Sequence, residues 1–403
     1  MSTQAPSSPG RAALFAVYAT VFLDLLGFGI LLPALPYYAE RLGASGTGVA
    51  LLFASYSLAQ LVGANLLGRL SDARGRRPVL LLSLVGSALG MTASGLAQSL
   101  LTLCAARALA GLSGGSIGTA QAFIADTTTP EQRPARMGGL GASIGLGFVA
   151  GPALGALLLG RGLGFAGAAF TAAALALANL VFTFLVLPES RRPGAAPTAS
   201  RGLAAWRTAV SRPVLRPVLA ASFLVLAAFV AMETTFALWT EERFGFRERE
   251  FGLVLTLAGA VMVIVQGALV GPISRRFGVR RVAAAGGALL GLALAAMPWA
   301  PGKAWLLANV VVMALGLGLA LPSLSSLLSQ LSPAEDQGTV LGAGQSLQAL
   351  ARATGPLAAG LLFDLGPALP YLWAGGLGLL AAWVVGRGSY STVPVNTARA
   401  TEK

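Results

Sequence analysis

Long apolar runs recur along the whole chain and are separated by short polar loops. Each run has roughly 18–25 residues, which is long enough for a helix to cross the hydrocarbon core of a bilayer. Hydrophobic residues make up 55% of the 403 residues and charged residues only 11%. A soluble protein of this size needs more charged surface. The sequence therefore predicts an all-α integral membrane protein.

Hydropathy predicts twelve membrane-spanning helices. They cover residues 12–36, 47–68, 79–97, 100–125, 137–159, 165–187, 217–240, 251–271, 282–299, 304–330, 338–362 and 369–386. The only long polar interruption, 188–216, is rich in Arg, Pro, Ala and Ser, which is typical of a linker. We expect an N-terminal half over 1–187, this linker, a C-terminal half over 217–386 and a cytoplasmic tail over 387–403.

The distribution of positive charge predicts the orientation in the membrane. With both termini in the cytoplasm, 20 of the 28 Lys and Arg residues fall in cytoplasmic segments and 6 in outer loops. This bias follows the positive-inside rule and predicts a multi-pass protein of the inner, plasma membrane. Because the arginines lie in short loops, we expect the lipid bilayer and not nucleic acid as their partner.

Two sequence features recur at nearly the same offset. The loop GRLSDARGRR (68–77) returns as GPISRRFGVRR (271–281), an offset of 203, and the pair Gly151–Pro152 returns as Gly355–Pro356, an offset of 204. Duplicated six-helix halves with a site near the midplane are typical of secondary transporters. Asp72 becomes Arg275 in the second copy, so this acid belongs to the first half only.

Residue types that are absent or rare limit the chemistry. The chain has no histidine, one cysteine (Cys104) and no Walker A sequence. Common zinc sites, Ser-His-Asp catalysis and ATP hydrolysis are therefore not expected. We predict no enzymatic activity, no bound metal and no cofactor.

The loop between the second and third predicted helices resembles the signature G-x-L-[S/A]-D-x-x-G-R-[R/K] of the major facilitator superfamily. The resemblance implies twelve transmembrane helices in two pseudo-symmetric six-helix bundles. It also implies a gating latch, in which Asp72 meets a helix N-terminus of the other half and Arg76 pairs with Asp126. The residues assigned to this latch are Gly68, Asp72, Gly75, Arg76, Arg77 and Asp126. A basic loop that only sets topology would explain the arginines but not Asp72.

The fifth predicted helix is similar to a signature of drug–proton antiporters in this superfamily. The residues that match it are Gly138, Gly147, Gly151, Pro152 and Gly155. Three of the glycines are four residues apart, so they share one helix face and permit close contact with another helix. Proline weakens the local hydrogen-bond ladder and permits a bend.

Three stretches resemble the tetracycline-efflux branch: FLDLLGFGILLPALP (22–36), IADTTTPEQR (124–133) and WTEERFG (239–245). The sequence departs from that branch at three positions. Met262 stands where the branch has an embedded histidine, and Gly90 and Leu290 stand where it has acids.

Charged residues inside predicted helices are candidates for proton coupling, because they are costly to insert into a membrane. We assign this role to Asp24, Glu233 and Arg107. Without histidine, an embedded carboxylate is the natural proton carrier. Asp24 could instead be a structural hydrogen-bond partner, and Glu233 could reach water at the outer end of its helix. Arg107 matches an arginine that the family links to proton coupling, and Asp24 is a plausible partner for it.

Polar and aromatic residues in the spans are candidates for a substrate pocket. We expect Gln121, Gln345, Arg352, Phe236 and Trp239 to contribute to it. The alternatives are hydrogen bonds between helices for the polar residues and lipid contact for the aromatic ones.

The sequence thus predicts a monomeric secondary transporter that exports an amphipathic, drug-like small molecule in exchange for protons by alternating access. Its cargo would be tetracycline-like or a range of drugs. The first alternative is a transporter of a metabolite such as a sugar, amino acid or siderophore. A non-transporting membrane sensor on the same fold is the second.

Overall fold

The computed structural model of the protein describes residues 11–129, 132–190, 211–333 and 336–388, and these contain helices and connecting turns without strands. We number the spans 1 to 12 in chain order. They are Ala12–Arg41, Gly46–Arg74, Arg76–Leu96, Leu100–Thr127, Ala135–Gly160, Gly164–Val186, Arg216–Phe244, Glu248–Phe277, Val279–Trp299, Lys303–Gln330, Gln337–Leu365 and Leu369–Arg387. All twelve predicted helices are present.

Eleven of the described spans are both long and apolar enough to cross a membrane. The remaining one, span 11, carries Gln345, Gln348 and Arg352 in its middle. It has 29 residues, which also suffices to cross at about 1.5 Å per residue. Most of the predicted linker and nearly all of the predicted tail lie outside the described residues.

Three spans are interrupted, which the hydropathy pattern did not predict. Span 1 is formed by two helices, Arg11–Leu31 (of which the span excludes the first residue) and Leu35–Arg41, with Pro33 in the turn between them. Span 4 consists of Leu100–Leu112 and Ser116–Thr127, and the turn between them contains Gly114 and Gly115. Span 8 contains a π-helical turn over Val265–Leu269. Irregular backbone at membrane depth is tolerated where it is buried in protein or lines a cavity.

Within the first half, span 1 packs closely against span 5 along the predicted glycine face. A Cβ placed on Gly147 would lie 2.8 Å from Leu25 Cβ, and one on Gly151 would lie 2.7 Å from Gly29 Cα. A Cβ on Gly155 would lie 2.5 Å from a span 1 carbonyl oxygen. Any side chain at these positions would push the two helices apart.

The two bundles meet through spans 5 and 8 and through spans 2 and 11. We call the end that holds the loops 68–77 and 271–281 the basic end, and the other end the opposite end. At the opposite end the contact is tight, since a Cβ on Gly360 of span 11 would lie 2.4 Å from Ala50 Cβ of span 2. At the basic end, Gly68 of span 2 and Gly342 of span 11 have open space around them.

Candidate functional site

A central cavity lies between the two bundles. It is lined by residues from both halves: Phe28, Leu32, Leu35, Leu52, Phe53, Tyr56, Ser57, Gln60, Arg107, Phe148, Val230, Glu233, Arg352 and Pro356. Its volume of about 50 Å³ has room for a few water molecules. A larger ligand would require the bundles to move apart.

Arg107 of span 4 is the fully buried cation of this cavity, with 2% of its surface exposed. Its guanidinium stands over the rings of Phe28 and Tyr56, at 5.9 and 5.1 Å from their centroids. These contacts offset part of the cost of burying a charge. Its Nε and Nη2 atoms nevertheless have no hydrogen-bond partner among the described residues.

Glu233 of span 7 and Arg352 of span 11 also line the central cavity. Glu233 is half-buried, and Arg352 is exposed. Because the two side chains line the same cavity, their opposite charges attract each other. One cavity thus brings together three charged residues that were predicted from separate stretches of sequence: Arg107, Glu233 and Arg352.

Asp24 lies in a second, smaller cavity next to the first, which we call the side cavity. Phe28, Tyr56 and Gln60 line both cavities. The Asp24 carboxylate accepts hydrogen bonds from the Ser87 hydroxyl at 3.2 Å and from the Ser116 hydroxyl at 2.5 Å. It therefore joins spans 1, 3 and 4.

The turn that interrupts span 4 explains how Asp24 is held. Ser113 and Gly114 of this turn line the side cavity, and Ser116 is the first residue of the helix that follows. The partial positive charge at a helix N-terminus favours a nearby carboxylate. The predicted pairing of Asp24 with Arg107 is not present within the described residues, because the two serines occupy the carboxylate instead. The Gly-rich stretch GLSGGS (111–116) was the sequence signal for this turn.

Four further residues were predicted to contribute to the substrate pocket. Gln345 lies on the same face of span 11 as Arg352, two turns closer to the basic end, and is exposed. Gln121 is half-buried, one turn from Ile117 of the side cavity. Phe236 and Trp239 are not among the cavity-lining residues. They are 2% and 4% exposed and pack in an aromatic cluster, so they belong to the core of the second half and leave little surface for lipid.

At the basic end, the charged residues of the latch form a network within the first half. Arg76 is 6% exposed. It donates to Asp126 Oδ2 and to Asp72 Oδ1, each at 2.8 Å, and to the Ser71 hydroxyl at 3.0 Å. The pair expected between Arg76 and Asp126 is therefore present, and Asp72 bonds to the same guanidinium.

Glu189, which follows span 6, completes this network and was not singled out in the sequence. Its carboxylate accepts the backbone N–H groups of Arg76 and Arg77 at 2.9 and 3.1 Å, at the N-terminus of span 3. Gly75 makes this approach possible. Its φ is +106°, and a Cβ there would lie 2.4 Å from Glu189 Oε2.

At the opposite end, a carboxylate bonds across the two halves. Asp364, near the end of span 11, accepts the Thr47 backbone N–H at 3.0 Å, the Thr47 hydroxyl at 2.5 Å and the Ser45 hydroxyl at 3.2 Å. These donors lie at the N-terminus of span 2. A second inter-half contact is the ion pair of Arg41 with Glu248. Neither contact was predicted from the sequence.

Two bundles of six helices around a central cavity lined by ionisable groups are the architecture of secondary transporters. The family model described as Major Facilitator Superfamily matches residues 17–356 and 238–401. The chain belongs to the major facilitator superfamily and is a multi-pass membrane transporter of small molecules.

Several relatives are similar over nearly the full length. The chain is 30% identical to the tetracycline resistance protein of class C from Escherichia coli, over 94% of each protein. It is 28% identical to multidrug resistance protein 2 from Bacillus subtilis (strain 168), over 93% of this chain and 95% of that protein. Among solved structures, the human organic anion transporter MFSD10 (TETRAN) superposes with a TM-score of 0.71 at 29% identity, covering 94% of this chain and all of that one.

Proposed function

We propose that the protein exports an amphipathic, drug-like small molecule in exchange for protons by alternating access. The observation that carries this proposal is Asp24, a carboxylate in the middle of span 1 beside the cavity between the halves. Relatives named for tetracycline and multidrug resistance support the class of cargo.

Asp24 is suited to carry the proton because its protonation would change the packing of three spans. The ionised carboxylate accepts from Ser87 and Ser116. A protonated carboxyl group gains one O–H donor and accepts more weakly than a carboxylate, so its bonds to the two hydroxyls would weaken and the new donor would need an acceptor. Neutralisation also removes the cost of a charge in the membrane. Proton binding would thereby favour a rearrangement of spans 1, 3 and 4.

Transport would begin at the basic end, which we place in the cytoplasm from the excess of Lys and Arg in its loops. In this arrangement both termini are cytoplasmic and the membrane is the inner, plasma membrane. Gln345 is exposed on the approach to the cavity, while the opposite end is closed by Asp364. Both cavities and both end contacts form within one chain, which supports a monomer as the working unit.

The cargo of this chain can differ from that of the tetracycline branch, since Gly90 leaves no room for an acid and the apolar surroundings of Leu290 would make one costly. A Cβ at Gly90 would lie 2.8 Å from Ala110 backbone atoms. Leu290 is fully buried in the core of the second half. Met262 also packs against that core. We therefore propose the broader class of amphipathic drugs.

A drug-susceptibility panel that includes tetracycline tests this proposal. Cells that lack their own exporters would express the wild type, Asp24→Asn, or the control Glu242→Gln, which changes an exposed acid at the opposite end. We expect protection by the wild type and the control and loss of protection with Asp24→Asn at equal expression. If abundant wild type protects against nothing, the drug assignment is wrong on this panel and a metabolite cargo becomes the alternative.

A further inference from the structure

The central cavity carries an excess of positive charge. Its charged lining residues are Arg107, Arg352 and Glu233, and the rest of the lining is aromatic, apolar or neutral. Asp24 does not line this cavity, because its carboxylate faces the side cavity and is held there by two hydroxyls. With all three groups ionised, the charge of the cavity lining is one positive.

Arg107 has hydrogen-bonding capacity that the described residues do not use. A guanidinium stays charged under all physiological conditions. Its Nε and Nη2 donors are buried without partners, and unpaired donors of a buried charge are costly. The rings of Phe28 and Tyr56 contact the face of the guanidinium, but they accept no hydrogen bond from the N–H donors at its edge. These donors have the fork geometry that matches a carboxylate or sulfonate.

Arg352 is the second cation, and Glu233 does not neutralise both. No ion pair within 4.0 Å involves Arg107, Arg352 or Glu233 in the described ranges. A cationic ligand would have to approach Glu233 against the repulsion of two guanidiniums. An anionic ligand would meet two cations and one anion.

The shape of the lining indicates the rest of the ligand. Phe28, Phe53, Tyr56 and Phe148 contribute four aromatic rings around the charged groups. Aromatic walls with a few convergent polar groups are typical of sites for flat, apolar molecules. An acidic group on an aromatic body would satisfy both the rings and the guanidiniums.

We propose that the central cavity binds an amphipathic organic anion, with an aromatic body against the rings and a carboxylate or sulfonate between Arg107 and Arg352. This inference rests on the proposed export function and names its substrate class. Glu233 competes with the anion for Arg352 and weakens its binding. The proton of the exchange is assigned separately to Asp24, which lies outside this site.

Two probes that share one ring system test the charge preference: naphthalene sulfonate and naphthyl trimethylammonium. Binding to the purified, detergent-solubilised full chain would be measured by equilibrium dialysis. We expect the sulfonate to bind at least about tenfold more tightly than the ammonium, since a charge-assisted hydrogen bond is worth about that factor or more. Equal affinities, including no binding of either probe, or tighter binding of the ammonium would overturn the proposal.

Charge-removing variants then assign the site. Arg352→Gln changes an exposed side chain and should weaken sulfonate binding about tenfold, while Glu233→Gln should strengthen it. Arg276→Gln, an exposed arginine at the basic end away from the cavity, is the matched control and should change nothing. Unchanged sulfonate affinity in Arg352→Gln would overturn the site. Drug export without anion binding would contradict this inference alone, and anion binding without export would contradict only the proposed function.

Discussion

The two ends of the molecule are stabilised in different ways. At the opposite end, Asp364 of the second half bonds to Ser45 and Thr47 of the first half. At the basic end, Arg76 bonds to Asp72 and Asp126 of its own half. Among the described residues, the hydrogen bonds and ion pairs that join the halves are thus at the opposite end, whereas the bonds of the Arg76 guanidinium at the basic end lie within one bundle.

This difference suits a transporter that alternates between two states. An internal network can move with its bundle as one body, so it need not break when the halves rock. The Asp364 contact must break for the opposite end to open. Asp364 is exposed, and bonds at an exposed site contribute modestly, so they can form and break in each cycle.

The largest effect is expected from Arg76→Gln at the basic end. Loss of the guanidinium leaves the carboxylates of Asp72 and Asp126 facing each other without the shared cation. The two acids are partly exposed, 21% and 31%, so the loss of these charge-assisted bonds costs about 2–3 kcal/mol of unfolding free energy. The melting temperature in detergent should fall clearly, whereas Arg74→Gln, a change of an exposed arginine in the same loop, should leave it unchanged. Equal melting temperatures of the two variants would show that the bonds of Arg76 to Asp72 and Asp126 do not stabilise the fold.

Gly75→Ala should have the next largest effect. An alanine at a φ of +106° is strained, and its Cβ displaces the Glu189 carboxylate from the N-terminus of span 3. The expected loss of unfolding free energy is about 2 kcal/mol. Gly68→Ala is the matched control within the same motif, because its Cβ meets open space and alanine favours the helix. If the control loses as much stability as Gly75→Ala, the contact with Glu189 is not the reason that position 75 requires glycine.

Asp364→Asn tests the opposite end. We expect the substitution to destabilise the state in which the opposite end is closed by about 1 kcal/mol, which raises the population open at that end about fivefold. Ser57→Cys in a Cys104→Ser background places a label site on the central cavity, and an impermeant maleimide added from the opposite side should react faster in Asp364→Asn. Glu250→Gln is the control, since Glu250 caps the N-terminus of its own helix at the same end. A similar acceleration in the control would contradict an inter-half role for Asp364.

Arg41→Gln should have the smallest effect. The Arg41 side chain is 57% exposed in its pair with Glu248, and exposed ion pairs contribute about 0–1 kcal/mol. In the same assay, the maleimide should react with the cysteine at position 57 at most slightly faster than in the protein with Arg41. High salt should abolish this difference in rate. If Arg41→Gln accelerates labelling more than Asp364→Asn does, the ion pair of Arg41 contributes more to closing this end than Asp364, which would contradict the expected order.

The spans were predictable from the sequence because apolar runs of membrane length have few alternatives. The glycine face of span 5 was also predictable, since a spacing of four residues places Gly147, Gly151 and Gly155 on one side. The turn within span 4 was not predicted, because hydropathy continues through Ser113–Gly115. A Gly-rich stretch in a membrane helix also serves close helix packing, so it does not by itself predict a break.

The candidate site was predicted less completely than the fold. Embedded charges identified Asp24, Arg107, Glu233 and Arg352, because each is costly in a membrane. Their division between two cavities depends on which way the helices face, and one sequence does not specify this. Phe236 and Trp239 show the same limit, as aromatic side chains suit a pocket, lipid or a core equally well. Glu189 and Asp364 were missed because their partners are distant in sequence.

The most direct test of alternating access compares two distances between spans 2 and 11 in spin-labelled protein. One pair, Gly68→Cys with Gly342→Cys, reports on the basic end, and the other, Leu51→Cys with Leu361→Cys, uses exposed positions near the opposite end. Both would be measured in a Cys104→Ser background at alkaline and acidic pH. We predict that acidification moves the two distances in opposite directions and that Asp24→Asn removes this response. Distances that stay fixed, or that both lengthen together, would contradict the account.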